Sequence, residues 1–97
     1  MHVTGRPVED EVDRLRRLRR ELDQGGTSLE RVAWEVLLLM ASVAEAGHPE
    51  APALRAEWER IESVSGASIE RGDRGTTARD RAVVEASLTR MVQLLGG

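Results

Sequence analysis

An all-α fold, a small antiparallel bundle of about four helices, is what this sequence predicts, and three observations predict it. Apolar residues recur at spacings of three and four in four separate segments, the period that aligns side chains along one face of a helix. Hydroxyl residues or proline open those segments and glycines close them, as the unpaired amides and carbonyls of helix ends require. The apolar 40% of the chain is aliphatic, Ala, Met and two Trp, with no Phe or Tyr, a composition that favours helices over strands.

Residues 1–7 contain Gly5 and Pro7 and no periodic pattern, so they read as a loose lead-in with Pro7 near the first helical turn. A first helix follows from about Val8 to Gln24. Val8, Val12, Leu15, Leu18 and Leu22 line one arc of it, Asp10 with Arg14 and Asp13 with Arg17 stand at i,i+4, and Gly25 and Gly26 end it. Thr27 and Glu30 have the spacing of a capping box, in which the hydroxyl takes the third amide and the carboxylate reaches back to the cap. The second helix therefore starts there and runs to about Ala46, before Gly47 and Pro49. Its Leu29, Val32, Ala33, Val36, Leu37, Met40, Val43 and Ala44 form a broad apolar face, which makes it the central helix. Trp34, Leu38 and Ala41 draw a second apolar line on the opposite side.

The third helix is expected from Pro52 to about Val64, with Leu54, Trp58 and Ile61 as its stripe and charged residues elsewhere. Residues Ser65 to Thr76 hold three glycines and four charges, with Ile69 as the one large apolar residue, and predict the longest and most mobile loop. Thr77 followed by Asp80 caps a fourth helix, whose face is Val84, Leu88, Met91 and Leu95, widened by Val83, Val92 and Leu94. Gly96 and Gly97 read as its stop. Neither a repeat nor a composition shift divides the chain, so residues 1–97 read as a single helical domain.

Composition also limits function. A net charge of −3 argues against polyanion binding as the main task. The absence of cysteine excludes disulfides, thiolate metal sites and a Cys nucleophile, and the absence of Lys removes that residue from any catalytic scheme. Glu9, Asp10 and Glu11 stand where a secretory signal carries an apolar run, so the cytoplasm is the expected compartment. The longest uncharged stretch, Val36 to Ala44, is far short of the roughly 18 residues a membrane span needs.

Two motifs invite chemistry. Arg14, Arg16, Arg17, Arg19 and Arg20 could contact phosphates, but on a helix they spread around most of the circumference among Glu9, Asp10, Glu11, Asp13, Glu21 and Asp23. No Tyr or Phe stands among them to stack on bases, so a solvated, internally paired helix is the reading. Glu45 and His48 form one Glu-x-x-His, the spacing of helical di-iron bundles, which need two such motifs and further carboxylates such as Glu30 or Glu35 from a second copy. Gly47 and Pro49 fall where that helix should end, so a turn is the reading there. The serines lack a partner constellation for nucleophilic catalysis, and Glu57, Glu59 and Glu62 sit with Arg55 and Arg60 as an ordinary charged face.

The sequence accordingly predicts no catalytic residue, cofactor or metal ligand. It predicts a non-catalytic protein–protein interaction or assembly module, self-associating as a homodimer or binding another protein through Trp34, Leu38 and Ala41 of helix two. Two alternatives from other classes are a nucleic-acid-associated regulator using the Arg-rich first helix and a metal-dependent helical enzyme around Glu45 and His48.

Overall fold

A computed structural model of the chain describes residues 6–70 and 77–96. These form four helices, α1 (Arg6–Asp23), α2 (Leu29–Glu45), α3 (Ala51–Glu70) and α4 (Ala78–Leu94), and no strand among the described residues. The five-residue connections 24–28 and 46–50 are too short to let a helix do anything but return alongside its predecessor. Neighbours pack in cyclic order, α1 on α2, α2 on α3, α3 on α4 and α4 on α1. The fold is thus a small all-α bundle, as the periodicity requires.

Local chemistry explains the helix ends. The first turn of α1 includes Arg6 and Pro7, because proline lacks only an amide that this turn would leave unpaired. At the other end Gly25 adopts φ 76°, a left-handed conformation that costs glycine little, and the Gly26 N–H donates to the Glu21 carbonyl at 2.7 Å. That closure carries the chain past Thr27. Ser28, in extended conformation, is the cap of α2, and its hydroxyl accepts from the Arg31 N–H at 3.1 Å. The capping box expected of Thr27 and Glu30 does not form, because the third helical position is then Arg31, which has no acceptor to return. Thr77 caps α4 as its sequence suggests, accepting from the Asp80 N–H at 3.0 Å.

The third helix is longer than its pattern implies. Ser65 is buried one turn beyond Ile61 and continues the stripe of Leu54, Trp58 and Ile61. A small hydroxyl there fits between helices, and the exposed Gly66 costs only about 1 kcal/mol inside a helix. Residues 65–70 therefore belong to α3 and not to the expected loop, whose remainder, 71–76, lies outside the described residues, as do residues 1–5 of the expected lead-in.

The core is built from Val12, Leu15, Leu18 and Leu22 of α1, Leu29, Val32, Val36, Leu39 and Val43 of α2, Leu54 and Ile61 of α3, and Val84, Leu88 and Met91 of α4 with Leu95, the residue that caps it. In α2 the buried set is narrower than the sequence indicated. Leu39 belongs to it, whereas Leu37 is 36% exposed and Ala44 is exposed. A bundle with two neighbours per helix covers a limited arc, and Leu37 and Ala44 fall beyond its edge on the α3 side.

Polar contacts tie the helices sideways. The Ser42 hydroxyl donates to Glu11 Oε2 at 2.8 Å, joining α2 to α1, and the Trp58 indole N–H donates to the Ala33 carbonyl at 3.1 Å, joining α3 to α2. Arg90 Nε donates to Glu57 Oε2 at 2.9 Å, joining α4 to α3, with Arg60 4.0 Å from the other carboxylate oxygen. Burial alone would raise the Glu57 pKa, yet the hydrogen bond from Arg90 and the charges of Arg90 and Arg60 hold it below the ordinary carboxylate value. The pairs expected within α1, Asp10–Arg14 and Asp13–Arg17, are not made; among the described residues the i,i+4 pairs are Arg31–Glu35 and Arg55–Glu59.

Two outcomes follow from this packing. Leu39→Ala should cost about 2 to 5 kcal/mol in urea melts, whereas Leu38→Ala, one residue along but on the outer side, should change the stability of the dilute protein by no more than about 0.5 kcal/mol. Because the folded pKa of Glu57 is depressed, its contribution is complete above the unfolded carboxylate value and is lost as pH falls through the folded value. Stability measured from about pH 6 to about pH 3 should therefore fall more steeply in the wild type than in Glu57→Gln; parallel curves would mean the Arg90 contact contributes nothing.

Candidate functional site

Two stripes run along α2. The inner one, Leu29, Val32, Val36, Leu39 and Val43, repeats at spacings of three and four and is buried. Shifted by two residues, Arg31, Trp34, Leu38, Ala41 and Glu45 repeat at the same spacings. Two residues are a rotation of about 200° on a helix, so this second stripe points away from the core. Trp34 is 57% exposed, Leu38 is 48% exposed, and Ala41 is exposed with them. The three residues singled out in the sequence thus share one open face.

The sequence assigned Leu37 to the core, and it belongs instead to this surface. It lines two adjoining grooves between α2 and α3. One, of about 690 Å³, runs past Ala33, Trp34, Trp58, Glu62 and Ser65; the other, of about 470 Å³, runs past Met40, Ala41, Ala44, Pro52 and Leu54. The wheel position of Leu37, about 60° from Trp34, was the available signal for its place beside the outer stripe. The two tryptophans have opposite fates. Trp58 is half-buried with its N–H engaged by Ala33, while Trp34 stands largely in water.

The arginines of α1 do not make one surface. Arg16, Arg19 and Arg20 face the α4 side, in a groove shared with Asp23 and Glu85; Arg14 and Arg17 face the α2 side, with Glu21 and Glu35. Each group shares its side with acidic residues, so among the described residues these arginines do not line up as one continuous basic stripe. Arg19 is exposed.

Glu45 and His48 are separated by the end of the helix. Glu45 is the last residue of α2, Ala46 is its cap and Gly47 turns the chain at φ 73°. His48 Nδ1 accepts a hydrogen bond from the Glu50 N–H at 3.1 Å, and the His48 carbonyl accepts from Ala51, so the imidazole helps start α3. Glu35 is held at 3.4 Å by Arg31. Among the described residues no three His, Asp or Glu side chains come together as metal ligands, and no helix is long and apolar enough to cross a membrane. Glu57 and Glu59 are occupied by Arg90 and Arg55.

Comparison with protein-family models, with curated proteins and with solved structures returns no match for this chain.

Replacing Arg16, Arg17 and Arg20 together by Gln should leave the helical circular dichroism signal unchanged, since all three are exposed and none is in an ion pair among the described residues. The wild type should show no nucleic-acid binding that the variant loses. Binding that falls steeply with salt and disappears in the triple variant would make α1 the functional surface.

Proposed function

We propose that this chain is a non-catalytic interaction or assembly module that binds protein through the outer face of α2, with a second copy of itself as the simplest partner and the cytoplasm as its compartment. The observation that carries the reading is the distribution of exposed apolar bulk. The large hydrophobic side chains exposed among the described residues are Trp34, Leu37 and Leu38, all on α2. Where their side chains are described, the large apolar residues of the other helices are wholly or partly buried. Exposed apolar residues scattered singly need no explanation, but a contiguous set on one helix marks a contact surface. Covering it would gain about 25 cal/mol for each Å² removed from water.

Trp34 supplies the largest share of that surface, and a rigid indole loses little conformational freedom on binding. The strip of Trp34, Leu38 and Ala41 has polar ends, with Glu30 and Arg31 exposed at one and Glu45 at the other, the usual arrangement of an apolar centre inside a charged rim.

Trp34→Glu tests the reading. The variant should remain helical with a cooperative melt, because water reaches the site, and should sediment as a monomer where the wild type associates. Loss of the cooperative melt would mean that Trp34 is a core residue and that the charge has been forced inside. A wild type that stays monomeric at every accessible concentration would leave a different protein as the partner for this face.

A further inference from the structure

The two ends of the outer stripe of α2 carry opposite charges, and their placement specifies what can cover it. Arg31 lies at the N-terminal end and Glu45 at the C-terminal end, with Leu38 seven residues from each. Both charged side chains are exposed. Arg31 Nε is 3.4 Å from Glu35 on its own helix, with 68% of the Arg31 side chain in solvent, an exposed pair of little energetic weight. Glu45 is in no ion pair among the described residues.

The spacing of Arg31, Trp34, Leu38, Ala41 and Glu45 is the a/d pattern by which one helix packs along another. We propose that the occupant of this face is a second copy of α2, antiparallel to the first about a two-fold axis through Leu38. The proposal rests on the reading of α2 as an interaction surface and adds the partner and the register. With that axis, Arg31 of each copy meets Glu45 of the other, and the contact is made twice because a two-fold interface repeats every pair. At 1.5 Å per residue Trp34 lies about 6 Å to one side of Leu38 and Ala41 about 4.5 Å to the other. Each Trp34 thus comes level, within about 1.5 Å, with Ala41 of the second copy, the bulkiest side chain of the stripe against the smallest.

The parallel alternative fails on the same residues. It would set Arg31 against Arg31, Glu45 against Glu45 and Trp34 against Trp34, pairing like charges and like bulk. An unrelated helix would need a complementary stripe of its own, whereas this one complements itself. Three large apolar side chains per copy make a small interface, so the dimer is weak and concentration-dependent.

Sedimentation equilibrium on the wild type, Arg31→Glu, Glu45→Arg and the double exchange tests the register. Each single substitution should weaken association about tenfold or more, because it juxtaposes like charges twice, and the double exchange should return it to within about threefold of the wild type. Both positions are exposed, so melts of the dilute variants should match the wild type and show that folding is intact. Ala41→Cys, in a chain with no other cysteine, lies about 9 Å along the helix axis from its counterpart in the antiparallel dimer, too far for a disulfide. A covalent dimer of that variant would overturn the register. So would association that the charge changes leave untouched or that the double exchange does not restore, and if Trp34→Glu still abolished that association the reading of α2 would survive. Association indifferent to Trp34→Glu as well would overturn both, and a wild type monomeric at every accessible concentration would overturn the second copy as partner.

Discussion

Everything in this bundle depends on how one helix is held along one stripe. Val32 and Val36 of α2 are wholly buried, with Leu29, Leu39 and Val43 above and below them, and α1 and α3 close on either side. A helix in a four-membered ring meets two flanking neighbours and no more than an arc of its circumference goes inside. α2 is apolar over more than that arc. Its apolar surface exceeds what the other described residues cover, and the excess is Trp34, Leu37 and Leu38.

The polar ties set where the excess comes to lie. Ser42 bonded to Glu11 holds α1 on one flank of α2, and Trp58 bonded to the Ala33 carbonyl holds α3 on the other. Both anchors sit on the flanks of α2, so neither neighbour rolls over its outer side. The Glu57–Arg90 contact does the equivalent between α3 and α4. With α3 pinned at Trp58, the channel beside it stays open along Leu37, Met40 and Ala44. The apolar surface is therefore a strip with a groove at its edge, a shape suited to another helix more than to a small molecule.

The same packing separates the groups that other chemistries would need together. The arginines of α1 are divided between two sides of their helix and share each side with carboxylates. Glu45 and His48 are split by a left-handed glycine, and one imidazole nitrogen, Nδ1, accepts from the backbone at the start of α3. What remains without an internal role is the outer stripe of α2, which is why the functional reading falls there.

The sequence by itself determined the four helices, the Thr77 cap and the presence of apolar residues on two sides of α2, because periodicity and capping depend on residues within a turn or two of each other. It also singled out Trp34, Leu38 and Ala41 as one line, since a helix wheel needs no tertiary information. The tertiary structure alone decided the rest. Leu39 rather than Leu37 goes inside because the inward direction is set by where α1 and α3 lie, and the sequence pattern of α2 is broad enough to allow either. α3 continues past Val64 because Ser65 finds a buried place between helices, which a hydroxyl in a glycine- and charge-rich segment does not announce. The cap of α2 falls on Ser28 because the glycine turn before it uses up one more residue than the spacing of Thr27 and Glu30 suggests. Whether the second line of α2 meets water or a neighbour depends on the number of helices and their lean, a property of the whole bundle that no single segment carries.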